Sequence, residues 1–186
     1  MLILLFFWNV GNSQQVVNIT VENMGTVPNT YYKDVNNLLN NFVGTWNYYS
    51  GNAHLQLVIR KEVHLFDNDD NVYYDMLVGE YKYSVNNVEI VNTLSQLNNV
   101  NVQWYDHGLS GNLLLHYSPQ PGTPLQVNID FLDPQRDYLF SRCNLKINPS
   151  NLNIMEFFLA RDISAVPVGS PTTFRIPHGT HILTKQ

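Results

Sequence analysis

Asp106, His107 and Ser110 lie within one short stretch of the chain. They supply an acid, an imidazole and a hydroxyl, the three group types of a serine-nucleophile proton relay. The surrounding run Gly108, Leu109, Ser110, Gly111 departs from the Gly-x-Ser-x-Gly elbow, and no strand-turn-helix pattern frames it. Asp67, Asn68, Asp69, Asp70 and Asn71 place oxygens at positions 1, 3 and 5 of a calcium-loop pattern. Val72 stands where that loop needs glycine and Val78 where it needs a bidentate glutamate, so the stretch reads as a solvated hairpin tip. His178 and His181 would point to opposite faces of a strand, and His54 and His64 would sit about 33 Å apart along one. No third ligand completes a zinc set. Cys143 alternates with Leu139, Leu145 and Ile147, as a small core residue would. No catalytic residue, metal ligand or cofactor is therefore assigned, and the chain is not expected to be an enzyme.

The elements that would position any site are mostly strands. Residues 53–66 alternate closely: Leu55, Leu57, Ile59, Val63 and Leu65 point one way, and His54, Gln56, Arg60, Glu62 and His64 the other. Lys61 interrupts the apolar face, either at a bulge or with its ammonium at a polar spot inside. Residues 73–85 form the next strand, and Asn86 and Asn87 suit the two positive-φ positions of a type I′ hairpin. That turn would set Val85 opposite Val88 and Tyr83 opposite Ile90, with Lys82 diagonal to Glu89. Further strands are expected at 102–105, 113–117, 125–131, 138–147, 152–161 and 173–184, with a short one at 16–21. Tyr31, Val35, Leu38, Leu39 and Phe42 space as one apolar stripe of a helix of about three turns. Gly44 ends it, and Thr45, Trp46, Asn47, Tyr48 and Tyr49 begin a strand. The expected fold is all-β, an antiparallel meander of about 8–10 strands closed into a barrel, with a short N-terminal helix.

A helix followed by Gly-x-Trp at the start of the first strand resembles the lipocalin-like, calycin-type barrels. Residues 42–97 and 174–186 are also similar to an uncharacterised secreted bacterial family with that fold and no assigned activity. The resemblance implies that Trp46 plugs the barrel floor and that a basic residue of the final strand, Arg175, packs over it as a cation–π partner. It also implies a second motif, an aspartate followed by an aromatic, for which Arg136, Asp137 and Tyr138 are the candidates.

A chain of 186 residues with net charge −5 and 13% charged residues suits one domain and has no basic face for nucleic acid. Residues 2–10 are an apolar run, too short to span a bilayer and suited to a secretory signal. Gly11 and Ser13 precede a plausible cut before Gln14, although no Lys or Arg forms a basic n-region. Residues 1–13 are thus expected to be a signal peptide and 14–186 a single barrel domain, secreted or periplasmic, with no stable membrane insertion after cleavage. The single cysteine rules out an internal disulfide. The inward set Tyr48, Leu57, Ile59, Tyr83, Ile90, Val127, Ile129 and Phe131 would suit a small hydrophobic or aromatic ligand. The alternative is a secreted structural or interaction module with a solid core, meeting a protein partner through its loops.

Overall fold

A computed structural model describes residues 13–116, 123–161 and 165–186. The expected signal segment falls almost wholly outside them. Eleven strands follow in order: β1 Gln15–Asn18, β2 Thr30–Lys33, β3 Gly44–Ser50, β4 Ala53–Asp67, β5 Val72–Val85, β6 Val88–Asn92, β7 Leu109–His116, β8 Gln126–Phe131, β9 Ser141–Asn148, β10 Asn151–Leu159 and β11 Gly179–Lys185. Pairings run β5-β4-β3-β11-β10-β9-β8-β7, and β7 returns to β5, so eight antiparallel strands close a barrel. Closure leaves no free edge within the ring of eight, and the margin of β5 away from β4 pairs in turn with β2 at Tyr73 and Tyr74, β7 at 77–79 and β6 at 82–85.

The alternation read from the sequence sets which side chains enter the core. Trp46 opposes Leu57, which opposes Tyr81; across the barrel, Val127 opposes Leu145 and Leu145 opposes Phe157. Each of these is buried, as are Leu55, Phe131, Met155 and Leu183. β7 bends at Gly111, where the register to β8 shifts. Its φ is +151°, and an added Cβ would lie 2.9 Å from the Cα of Ile129, so only glycine fits without displacement.

Four sequence expectations are corrected. The apolar stripe from Tyr31 to Phe42 is not one helix: it is β2, running parallel to β5, followed by a 3₁₀ turn at Leu38–Asn41. The carboxylate of Asp34 takes the amides of Leu38 and Leu39 at 2.8 and 2.9 Å, and Asn37 adopts a left-handed conformation, so tertiary partners override a helical period. Residues 102–105 are not a strand but lead into a 3₁₀ turn at Trp104–Asp106. The last strand starts only at Gly179, six residues later than expected. The β5–β6 hairpin has the expected turn, with Asn86 and Asn87 at φ 52° and 61° and Val85 opposite Val88. A register shift after Ser84 then sets Tyr83 opposite Val91 rather than Ile90. The shift exchanges their faces: Val91 is buried and Ile90 is 41% exposed.

Candidate functional site

The interior is the first place to look for a ligand. Leu57, Ile59, Val127, Ile129 and Phe131 face inward and are at most 2% exposed; Tyr83 is also buried, and Tyr48 is half-buried. Ile90, expected inside, lies outside for the reason just given. Aromatic rings meet between the walls. Phe131 stacks on Tyr81 with centroids 5.1 Å apart and meets Phe174 edge-on at 5.0 Å, and Phe174 and Ile176 are buried over the barrel end from the β10–β11 connection. The inward His181 meets the Tyr48 ring edge-on at 4.9 Å. Burial lowers its pKa, the backbone at Phe157 and Gly179 partly opposes this, and its Nδ1 is buried without a hydrogen-bond partner.

At the other end Trp46 is fully buried, and its indole N–H donates to the Phe42 carbonyl at 2.8 Å. The cation over its ring is Lys185, with Nζ 5.1 Å from the centroid. This corrects the expectation for Arg175. The β11 register brings Lys185 opposite Trp46, whereas Arg175 precedes the strand and is claimed by Asp133. Its amide donates to one Asp133 oxygen at 3.0 Å and its Nε to the other at 2.8 Å. Asp133 is fully buried, and the pair ties the β8–β9 connection to the β10–β11 connection. Asp137 of the expected second motif is exposed, while Tyr138 donates to the Pro171 carbonyl at 3.0 Å.

Two further polar clusters were invisible to motif reading. Lys61 follows Ile59 on the inner face, and its ammonium lies 2.9 Å from Asp34 and 3.8 Å from Asp75. Asp75 accepts from the Tyr31 hydroxyl, the Asp34 amide and the His64 amide. Burial first, then the bond to Asp75, pushes the Tyr31 hydroxyl far above its usual pKa, so it stays protonated and donating. Lys61 is in regular register opposite Leu77, and the bulge begins only after Glu62, with His64 at φ 56°; of the two readings offered for Lys61, the polar spot inside is the one the geometry matches. His107 pairs with Glu80 on β5, Nδ1 to Oε1 2.7 Å, and both are buried. Of the residues that suggested a proton relay, His107 therefore has Glu80 as its partner, Asp106 is exposed, and Ser110 sits in β7 opposite Asp130. The sole thiol, Cys143, is buried and pushed far up in pKa by that burial. Among the described residues no three His, Cys, Asp or Glu side chains come together to hold a metal ion.

A surface groove of about 560 Å³ lies between β6 with its following turn and the Pro134, Gln135 and Arg175 connections. Its walls offer the amides of Asn92, Gln96, Asn101 and Gln135 beside the exposed Ile90. A second cleft, of about 250 Å³, lies between the Asp67–Asp69 tip and Gln103, Trp104 and Tyr105. Neither is bordered by Trp46, Leu57, Tyr81, Val127 or Phe157. No described helix is long and apolar enough to cross a membrane.

Comparison with the curated proteins and with the solved structures returns no match. A family of unknown function (DUF6705) matches the chain over residues 1–186. The chain, with the eight-stranded barrel described above, therefore belongs to that family.

Proposed function

We propose that this protein is an extracytoplasmic module with a solid barrel, which meets a protein partner through its outer loops and carries out no catalytic turnover. One observation carries the reading: the inward positions are occupied by bulky side chains at or near zero exposure, Trp46, Tyr81, Phe131 and Phe157 among them. An eight-stranded barrel has room for its own side chains or for one small ligand, and large aromatics favour the first. The groove beside β6 supports a loop-borne role, since its four amides can bond a partner's backbone while Ile90 supplies an apolar contact. Export is in keeping with the apolar run at residues 2–10.

A second reading, reversible binding of a small hydrophobic or aromatic molecule, is favoured by the half-buried Tyr48 beside inward His181 and Tyr83, polar groups at the wall of an otherwise apolar interior. Native mass spectrometry and titration with a hydrophobic fluorescent dye separate the two. The solid module is expected to carry no retained ligand and to show no saturable one-to-one binding. One-to-one dye binding that is competed by a fatty acid and lost on Tyr48→Ala would overturn it in favour of the second reading.

A further inference from the structure

The Asp34, Lys61 and Asp75 cluster holds an amine, a carboxyl carbon and a second carboxylate in the arrangement that amide formation needs. Asp34 is fixed by three donors. Its Oδ1 accepts from the Leu38 amide at 2.8 Å, and its Oδ2 accepts from the Leu39 amide at 2.9 Å and from Lys61 Nζ at 2.9 Å. Backbone N–H groups aimed at both oxygens are what stabilises negative charge on a tetrahedral carboxyl centre. The amine is already in reach of the carbon, so the entropy of bringing the two groups together has been spent by folding. Asp75, its Oδ2 3.8 Å from Nζ, is placed to carry protons between them, and it is held by Tyr31 and by the amides of Asp34 and His64. Side-chain exposure is 0% for Asp34, 12% for Lys61 and 2% for Asp75, so competing water is scarce.

We propose that Lys61 and Asp34 are joined by an autocatalytic isopeptide bond, with Asp75 as the proton carrier. Asp75 takes a proton from the Lys61 ammonium and passes it to an Asp34 oxygen, and the free amine attacks Cγ of the resulting neutral carboxyl group. The new C–N bond forms as one Asp34 oxygen leaves. Two of the three ammonium protons end on that oxygen as water, the third stays on the amide nitrogen, and Asp75 returns to its starting state. An ammonium and a carboxylate become an amide and water, so charge and atoms balance and no oxidant or cofactor is needed.

The bond would weld the N-terminal strap to the barrel. Among the described residues that strap pairs with the barrel sheet at Tyr31 with Tyr73 and Tyr32 with Tyr74, next to a backbone bond from Asn29 to the Asn71 carbonyl, and with a single cysteine the chain has no internal disulfide to do this. The inference is independent of whether the groove or the interior binds anything.

Intact-mass spectrometry of the purified full chain, followed by peptide mapping, tests it. The folded protein is expected to weigh less than its processed sequence by one water, with residues 34 and 61 recovered in a single branched peptide. Lys61→Arg, which keeps the charge, is expected to restore the full mass and lower the melting temperature. Asp75→Asn is expected to restore the full mass with an unchanged circular dichroism spectrum. A folded wild-type protein at full sequence mass, or a water loss mapped to any other position, would overturn the bond. A bond that persists in Asp75→Asn would overturn the role of Asp75.

Discussion

Replacing Trp46 by alanine tests the architecture at its floor. The indole is fully buried and inward, between β11 and Leu57. Removing it leaves a cavity that the surrounding strands, locked by hydrogen bonding on both sides, cannot fill, which costs about 3–5 kcal/mol. The Phe42 carbonyl also loses the N–H that reaches it at 2.8 Å, adding about 1 kcal/mol. The Lys185 ammonium loses the ring beneath it, adding about 0.5 kcal/mol at this half-exposed site. The total of about 5 kcal/mol converts to a fall in melting temperature of roughly 10–20 °C for a chain of this length. Urea denaturation followed by far-ultraviolet circular dichroism gives the free energy, and a thermal scan gives the shift. Two companions separate the parts. Trp46→Phe keeps most of the apolar bulk and loses the donor, so it should cost about 1–3 kcal/mol; Lys185→Met should cost under about 1 kcal/mol. A double-mutant cycle between positions 46 and 185 is expected to show coupling, and one between 46 and 175 none. A loss below about 1 kcal/mol for Trp46→Ala would refute the claim that this residue seats the floor.

Three further outcomes follow from the same geometry. Asp133→Ala strands the Arg175 guanidinium, whose side chain is only 11% exposed, and should destabilise by about 3–5 kcal/mol in denaturant titration, while the double variant Asp133→Ala, Arg175→Met recovers part of the loss. His181 has its pKa lowered by burial, so the unfolded chain binds its proton first. That contribution to stability is complete above the unfolded pKa of about 6.5 and is lost as pH falls below it. The urea midpoint measured across that range should therefore drop on the acid side, and less steeply in His181→Gln. Val91→Ser should cost about 2 kcal/mol and Ile90→Ser no more than about 0.5 kcal/mol by the same titration; equal costs would contradict the register shift after Ser84.

How much was legible depended on the range of the interactions involved. Strand identity is local: the alternation of residues 53–66 and 125–131 requires one wet and one dry face whatever packs against them; β8 carries those faces, and β4 does so at Leu55, Leu57 and Ile59, whereas Val63, expected on the dry face, is 61% exposed beyond the bulge that follows Glu62. The Asn86, Asn87 turn was equally readable, because paired positive φ angles are a property of the residues themselves. The floor position of Trp46 came from the resemblance of Gly-x-Trp to lipocalin-like barrels, and the indole is fully buried there.

What stayed hidden came from contacts between distant parts of the chain. The stripe from Tyr31 to Phe42 has helical spacing, yet Asp75, Lys61 and the edge of β5 offer it partners that an isolated helix lacks. A one-residue bulge, with no signature in composition, decided that Val91 rather than Ile90 is buried. Asp34, Asp75 and Glu80 sit in no motif, because each finds its partner on another element. The sequence by itself determined that the chain is a set of one-sided strands needing a shared core, since hydrophobic periodicity acts residue by residue. Only the tertiary structure decided how those strands close, which cation covers Trp46 and which side chains meet inside, since those depend on register summed over the whole ring.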